Sequence, residues 1–235
     1  MRKINIRELL GELGVSVDSI VLGDFDAIGE LAARKPRGPN SEHYKLGKFF
    51  RPNYERGILV YYLIRKFKLK SFIELGTGRG YTTLCAGKAF CDEGIDGKIV
   101  TIDADISEDY LNALLKNFSA EWYKNTEFIR GLTNNVLSNI EESFDLVYID
   151  AAHDYLSVNK DWEWSKSHFN KFVLFDDYIE GHKDGFGVRD VVDNIDNCDE
   201  YKMDYIIGDR RIFIDDRKLS DDEINYGQVL VHNKP

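Results

Sequence analysis

Phe72-Ile73-Glu74-Leu75-Gly76-Thr77-Gly78-Arg79-Gly80-Tyr81-Thr82-Thr83 joins an apolar run to a glycine-rich turn and a helix-compatible segment. Ser71 to Leu75 is short and apolar, as a buried strand is. Three glycines at alternate positions follow, and Thr82 to Phe90 is compatible with a helix. A strand that breaks into a glycine turn and resumes as a helix makes a ligand-binding corner. Glycine adopts backbone angles closed to other residues and lets a ligand approach the main chain. The N–H groups of the helix's first turn can meet an anionic group. The third glycine, Gly80, comes one residue earlier than in the dinucleotide pattern G-x-G-x-x-G, and Tyr81 stands where that pattern has glycine. Glu74 precedes the first glycine by two positions. Asp103 ends the next apolar run, Lys98-Ile99-Val100-Thr101-Ile102, where an acid can accept hydrogen bonds from a ribose diol.

Outward from this corner, helical and strand patterns alternate. Tyr54 to Phe67 reads as an amphipathic helix with Ile58, Leu59, Tyr62, Leu63 and Phe67 on one side. A helix from Ser107, its expected N-cap, runs through Asn117; Glu127–Arg130 is a short strand; Thr133–Ile140 is a helix. Phe144–Ile149 is a strand ending at Asp150, and Leu156–His168 is a helix in which Trp162 and Trp164 serve packing. Phe172–Phe175 is a strand ending at Asp176-Asp177, and Val188–Ile195 is a helix. Tyr201–Ile207 and Arg211–Ile214 read as a hairpin turning near Gly208-Asp209. The fold class expected is α/β: a Rossmann-like, doubly wound, mostly parallel seven-stranded sheet with an antiparallel C-terminal hairpin. Ligands in such sheets bind at the carboxyl ends of the strands, where Glu74, Asp103, Asp150, Asp176 and Asp177 all fall.

The termini read less clearly. Residues 1–53 are expected to form a helical or lid segment, with helical patterns at Ile4–Leu13 and Phe25–Ala33. Arg34 to Pro52 is polar and broken by Pro36, Gly38, Pro39 and Pro52; it is either a lid over a substrate or a segment packed on the surface. Residues 54–215 form the main domain, and 216–235 a C-terminal tail.

Composition bounds the function. A chain of 235 residues with 43% apolar and 13% aromatic residues can bury a large core in one domain. No apolar run is long enough to span a membrane, and the first residues lack the apolar core of a signal peptide. Cys85, Cys91 and Cys198 have no zinc spacing and read as reduced thiols of a cytoplasmic protein. A net charge of −10 disfavours a broad nucleic-acid-binding face. The expected partner is a small-molecule substrate, with a homo-oligomer left open.

The strand-terminal acids suggest a second constellation. Adjacent strands would bring Asp150, Asp176 and Asp177 together, and carboxylates so clustered need a cation. Mg²⁺ suits hard oxygen ligands and keeps open positions for substrate oxygens. His153, three residues after Asp150, titrates near neutrality and is a candidate base.

Glu74-Leu75-Gly76-Thr77-Gly78-Arg79-Gly80 resembles motif I of class I S-adenosylmethionine (SAM) methyltransferases, and Asp103 resembles their ribose-binding acid. The resemblance covers roughly residues 54–215. It implies a SAM site at Glu74, Gly76, Thr77, Gly78, Tyr81, Thr82, Asp103, Leu132 and Asp150. Tyr81 and Thr82 would meet the methionine carboxylate, and Gly131-Leu132-Thr133 would flank adenine, although Leu132 could equally be core. The acids after the two strands resemble the Mg²⁺ ligands of metal-dependent O-methyltransferases: Asp150, Asp176 and Asp177 as metal ligands, with His153 and Asp150 as catalytic groups. Histidine three positions after the first acid resembles the macrolide-sugar group, where catechol O-methyltransferase has lysine. Where the family commonly has Gly-Gly before the fifth strand, this chain has Asn170-Lys171. His182 and Arg189 are substrate-loop candidates, weighed against a plain surface loop. The expected reaction is metal-assisted O-methylation of a small hydroxylated substrate, a sugar or natural product. The alternatives are a metal-free N- or protein methyltransferase and a non-catalytic SAM-binding module.

Overall fold

The computed structural model describes residues 1–20, 25, 28, 54–178, 187–198, 200–208 and 227–234. Among them, strands β1 (Arg2–Asn5), β2 (Ser71–Leu75), β3 (Lys98–Asp103), β4 (Thr126–Arg130), β5 (Phe144–Ile149), β6 (Phe169–Tyr178), β7 (Tyr201–Ile207) and β8 (Gly227–Asn233) form one sheet. Its order is β1-β7-β8-β6-β5-β2-β3-β4. The pairs from β6 through β5, β2 and β3 to β4 are parallel, and β8 runs antiparallel to both β6 and β7. This is the Rossmann-like class expected, with eight strands in place of seven.

Helices cover both faces: α1 (Ile6–Glu12), α2 (Tyr54–Phe67), α3 (Tyr81–Glu93), α4 (Glu108–Leu115), α5 (Thr133–Val136), α6 (Tyr155–His168) and α7 (Gly187–Asn197). Residues alternating along each strand feed two apolar layers. Phe72, Leu146, Tyr148 and Leu174 pack under α2 and α3, while Ile73, Val147, Val173 and Phe175 pack under α6 and α7. Central strands buried on both faces are what parallel sheets require, and each fully buried Leu, Ile, Val or Phe contributes about 1.5–3 kcal/mol. Ser107 caps α4 as expected, its hydroxyl accepting from the Tyr110 N–H. Trp162 packs edge-on against Tyr201, and Trp164 stacks on His168, so both tryptophans serve packing. Asn170 and Lys171 lie inside β6 rather than in a turn before it.

Three expectations at the ends of the chain are corrected. Ile4 and Asn5, read as the start of the Ile4–Leu13 helix, instead end the strand Arg2–Asn5. This strand pairs in parallel with β7, and Arg2 grips the buried Asp204 through Nε–Oδ1 at 2.6 Å and Nη2–Oδ2 at 3.0 Å. The helix begins only at Ile6, capped by the Asn5 side chain. The strand antiparallel to Tyr201–Ile207 comes from Gly227–Asn233, inside the stretch read as a tail; Arg211–Ile214 lies outside the described residues. Val229 and Val231 are fully buried between β6 and β7, so residues 227–233 are sheet core. The 25–33 helix pattern, the 34–52 lid candidate and His182 also fall wholly or mostly outside the described residues.

Candidate active site

The glycine corner forms as the sequence implies. Gly76, Gly78 and Gly80 all take positive φ, at 101°, 56° and 78°. The turn is pinned to β3: the Gly76 and Thr77 N–H groups both donate to the Ile102 carbonyl, at 2.8 and 3.1 Å. At Gly76 the requirement is also steric, since a Cβ there would lie 2.1 Å from the Asp150 carbonyl oxygen. The Asp150 N–H in turn donates to the Leu75 carbonyl at 2.8 Å. Gly76 is therefore where the corner and the end of β5 touch.

Asp103 sits at this corner with its carboxylate oriented by main-chain donors, Gly78 N–H on Oδ2 and Asp105 N–H on Oδ1, each at 2.8 Å. The Gly131 N–H donates to the Asp103 carbonyl at 3.0 Å, which brings Leu132 to the same rim. Leu132 is 60% exposed, so it is not core and is available to a ligand. Glu74 behaves differently. It is buried, and its Oε2 accepts from the hydroxyls of Thr83 and, at 2.8 Å, Thr101. Burial pushes its carboxyl up to about 8, against the two threonine hydrogen bonds. It ties β2, β3 and the first turn of α3 together beneath the turn. Thr77 and Thr82 are buried beside it, with the Thr77 hydroxyl 2.6 Å from that of Thr101; Tyr81 is half-buried at the start of α3.

The second constellation depends on a fault in β6. Phe175 pairs with Val229 and Tyr178 with Gly227, so Asp176 and Asp177 together oppose the single residue Gln228. This is a β-bulge, and Asp177 takes the left-handed conformation, φ 54°. In a regular strand, neighbouring side chains point to opposite faces. Here the bulge turns both carboxylates toward Asp150 at the end of β5.

A residue the sequence reading did not single out occupies the centre of this cluster. Arg56, in the first turn of α2, places Nε 2.5 Å from Asp176 Oδ2, Nη2 2.5 Å from Asp177 Oδ1 and Nη1 3.6 Å from Asp150 Oδ2. It gets there because the neighbouring Gly57 lets α2 press on α3; a Cβ at 57 would stand 2.5 Å from Cys85 Sγ and 2.6 Å from Tyr81 Cε1. A glycine inside a helix, directly after an arginine and one strand before the glycine corner, was the available signal.

His153 lies on the outer side. Its Nε2 is 3.0 Å from Asp177 Oδ2 and 3.9 Å from Asp150 Oδ1. Those two carboxylates, Asp150 first, raise its pKa to about 10, so the imidazole carries a proton in this arrangement. For Asp177, burial works upward, but the hydrogen bond from His153 and the charge of Arg56 outweigh it and hold the carboxyl low. Asp176 is almost fully buried and goes the other way: burial raises it despite Arg56, with Asp150 and Asp177 adding to the rise. The hydroxyl of the buried Tyr148 also bears on Asp176.

Donor atoms of Asp150, His153 and Asp177 all lie within 4.8 Å of one another. This set differs from the Asp150, Asp176, Asp177 trio expected: His153 takes the third place, and Asp176 is the almost fully buried acid that faces Arg56 Nε. Three ionised carboxylates and one guanidinium would leave −2, a balance that suits a divalent cation, once His153 has given up its proton and Asp176 is ionised. Two carboxylates and an imidazole are also a workable donor set. The residues fit the ion. Arg189, a substrate-loop candidate, instead pairs along α7 with Asp193 at 3.2 Å.

A family profile described as "Methyltransferase domain" matches residues 73–178, the span from β2 to the end of β6. No curated protein matches the sequence. Among solved structures, the fold is similar to that of the O-methyltransferase TomG from Streptomyces achromogenes, involved in tomaymycin synthesis and bound to SAM. The two share 16% identity over 89% of this chain and 90% of that one, with a TM-score of 0.64. It is also similar to an O-methyltransferase from Bacillus cereus in complex with SAH, at 17% identity over 97% and 100% of the chains and a TM-score of 0.64. An rRNA methylase from Streptococcus thermophilus shares the fold more loosely, at 12% identity over 80% and 99% and a TM-score of 0.53. A methyltransferase-domain profile thus spans both the glycine corner and the acids that end β5 and β6, and the fold of the chain is similar to that of SAM- and SAH-bound O-methyltransferases.

Proposed function

We propose that the protein transfers the methyl group of SAM to a hydroxyl of a small substrate, a sugar or natural product, with a divalent cation, Mg²⁺ or another, at the carboxylate cluster. The observation that carries this reading is the contact of Gly76 with the Asp150 backbone, which sets the cofactor corner directly beside the Asp150–His153–Asp177 cluster. Asp103 would receive the ribose diol, Gly76, Thr77, Gly78, Tyr81 and Thr82 would frame the methionine end, and Leu132 would lie against adenine. Glu74 would act from below, by holding the turn. The reaction is an in-line displacement. An acceptor oxygen forms a bond to the methyl carbon as the carbon–sulfur bond breaks, S-adenosylhomocysteine leaves, and the hydroxyl proton goes to a base. His153 Nε2 is the proton acceptor in this reading, and must first give up the proton it holds between Asp150 and Asp177. Asp150 and Asp177 would hold the cation, which would supply charge to lower the pKa of the acceptor hydroxyl. Nothing in the described helices is long and apolar enough to cross a membrane, and a cytoplasmic setting accords with the free cysteines.

One observation favours a metal-free reading: Arg56 already supplies a cation to all three carboxylates. S-adenosylhomocysteine release from catechol and sugar acceptors, with Mg²⁺ and with chelator, separates the two. We expect chelation to lower turnover at least about tenfold. The Asp177→Ala protein should lose the metal response while retaining SAM binding. Turnover indifferent to chelator would establish the metal-free reading.

A further inference from the structure

The group in this site that neither the sequence pattern nor the resemblance accounts for is the guanidinium of Arg56. Its three nitrogens face three different acids, at 2.5 Å from Asp176, 2.5 Å from Asp177 and 3.6 Å from Asp150. Two of those acids, Asp150 and Asp177, also belong to the set whose donor atoms converge with His153. A guanidinium and a divalent cation answer the same need, positive charge against clustered carboxylates with little water between. Both cannot draw fully on Asp177, whose Oδ1 meets Arg56 and whose Oδ2 meets His153.

We propose that Arg56 is a built-in competitor for the cation site: it neutralises the carboxylates when no ion is bound, and divalent-cation binding requires it to withdraw from Asp177 and Asp150. The inference rests on the divalent-cation reading of the function. Asp176 gives the arginine a place to remain. It is nearly fully buried, it has the closest approach to Arg56 Nε, and it lies outside the converging set. The competition therefore acts through Asp177 and Asp150, while Asp176 keeps the side chain tethered. The device has a structural correlate in α2. Arg56 sits in its first turn beside Gly57, whose missing side chain lets that turn lie against Tyr81 and Cys85 of α3. Loading the ion would thus be felt where α2 meets the start of the cofactor-corner helix.

The test is calorimetric titration of Mg²⁺ into the intact wild-type protein, Arg56→Gln and Arg56→Lys. Removing the competing charge in Arg56→Gln should tighten Mg²⁺ binding at least tenfold. Arg56→Lys, which keeps a charge but cannot bridge three acids, should fall between the two. If Arg56→Gln binds Mg²⁺ no tighter than wild type, the competition is overturned and the divalent-cation reading stands. If no protein of the three binds Mg²⁺, the divalent-cation reading itself fails and takes this inference with it. Should Arg56→Gln not fold, the wild type still decides. In ¹⁵N-arginine-labelled protein, the Nε–H resonance absent from Arg56→Lys should move as Mg²⁺ is added. Saturation with Mg²⁺ that leaves this resonance in place would overturn the inference.

Discussion

The glycine corner and the carboxylate cluster lie side by side, yet they are built in opposite ways. The corner is local. One stretch of chain, Glu74 to Thr83, supplies its turn, its buried acid and the start of its helix, and β3 adds Thr101 and Asp103. Its two buried acids are held by neutral donors, Glu74 by threonine hydroxyls and Asp103 by main-chain N–H groups. The cluster is assembled from afar: Asp150 from the end of β5, Asp176 and Asp177 from a bulge in β6, and Arg56 from α2, across as many as 121 positions of sequence. Its acids are held by charge. The comparison teaches that a backbone motif can be recognised from spacing, whereas a charge-balanced site needs its counter-ion found in space.

The largest effect should come from the point the two regions share. Gly76→Ala combines a backbone angle, φ 101°, that alanine resists with a Cβ 2.1 Å from a carbonyl oxygen that cannot swing away. We expect a loss of roughly 2–5 kcal/mol in unfolding free energy, with SAM and Mg²⁺ binding lost together. Denaturant unfolding and the two titrations measure this. Survival of one binding activity without the other would break the claim that the regions are mechanically joined.

A smaller effect sharpens the contrast between neutral and charged acids. Glu74 has its pKa raised from 4.5 to about 8, so the folded state keeps a proton that the unfolded chain releases. Its contribution to stability is therefore complete below pH 4.5 and is lost as pH rises toward 8. The slope approaches about 1.4 kcal/mol per pH unit within that window. Glu74→Gln preserves the acceptor for Thr83 and Thr101 and removes the titration. Its melting temperature should exceed that of wild type at pH 8 and approach it at pH 5. A variant less stable than wild type at pH 8 would mean that Glu74 is ionised in the folded protein.

What was legible in the sequence follows the same division. The strand–turn–helix at Ser71–Glu93, the strand-terminal Asp103 and the run Phe144–Ile149 were readable because burial on both faces leaves an apolar run and the turn demands glycine. The acids of the second cluster were readable as strand ends. Their geometry was not, because the bulge at Asp176-Asp177 is a matter of register between β6 and a strand 50 residues further on. Arg56 was hidden inside an amphipathic helix pattern, where an arginine reads as a solvated face. His153 could be named as a candidate from its place three residues after Asp150, but its protonation depends on the distances to Asp150 and Asp177, which spacing does not give. The C-terminal strand was misassigned because Tyr201–Ile207 was paired with its nearest neighbour in sequence. Its antiparallel partner is instead Gly227–Asn233, an interior strand between β7 and β6, whose alternation of Val229 and Val231 with Gln228 and Leu230 fits burial on both faces.

The proposed function depends most on whether the glycine corner holds SAM through Asp103. Calorimetric titration of SAM into the wild-type protein and Asp103→Ala tests it most directly. Wild type should bind in about the micromolar range, with binding weakened at least about tenfold in Asp103→Ala, where the ribose acceptor is gone. Wild-type protein that takes up no SAM, or an Asp103→Ala protein that binds it equally well, would contradict the account.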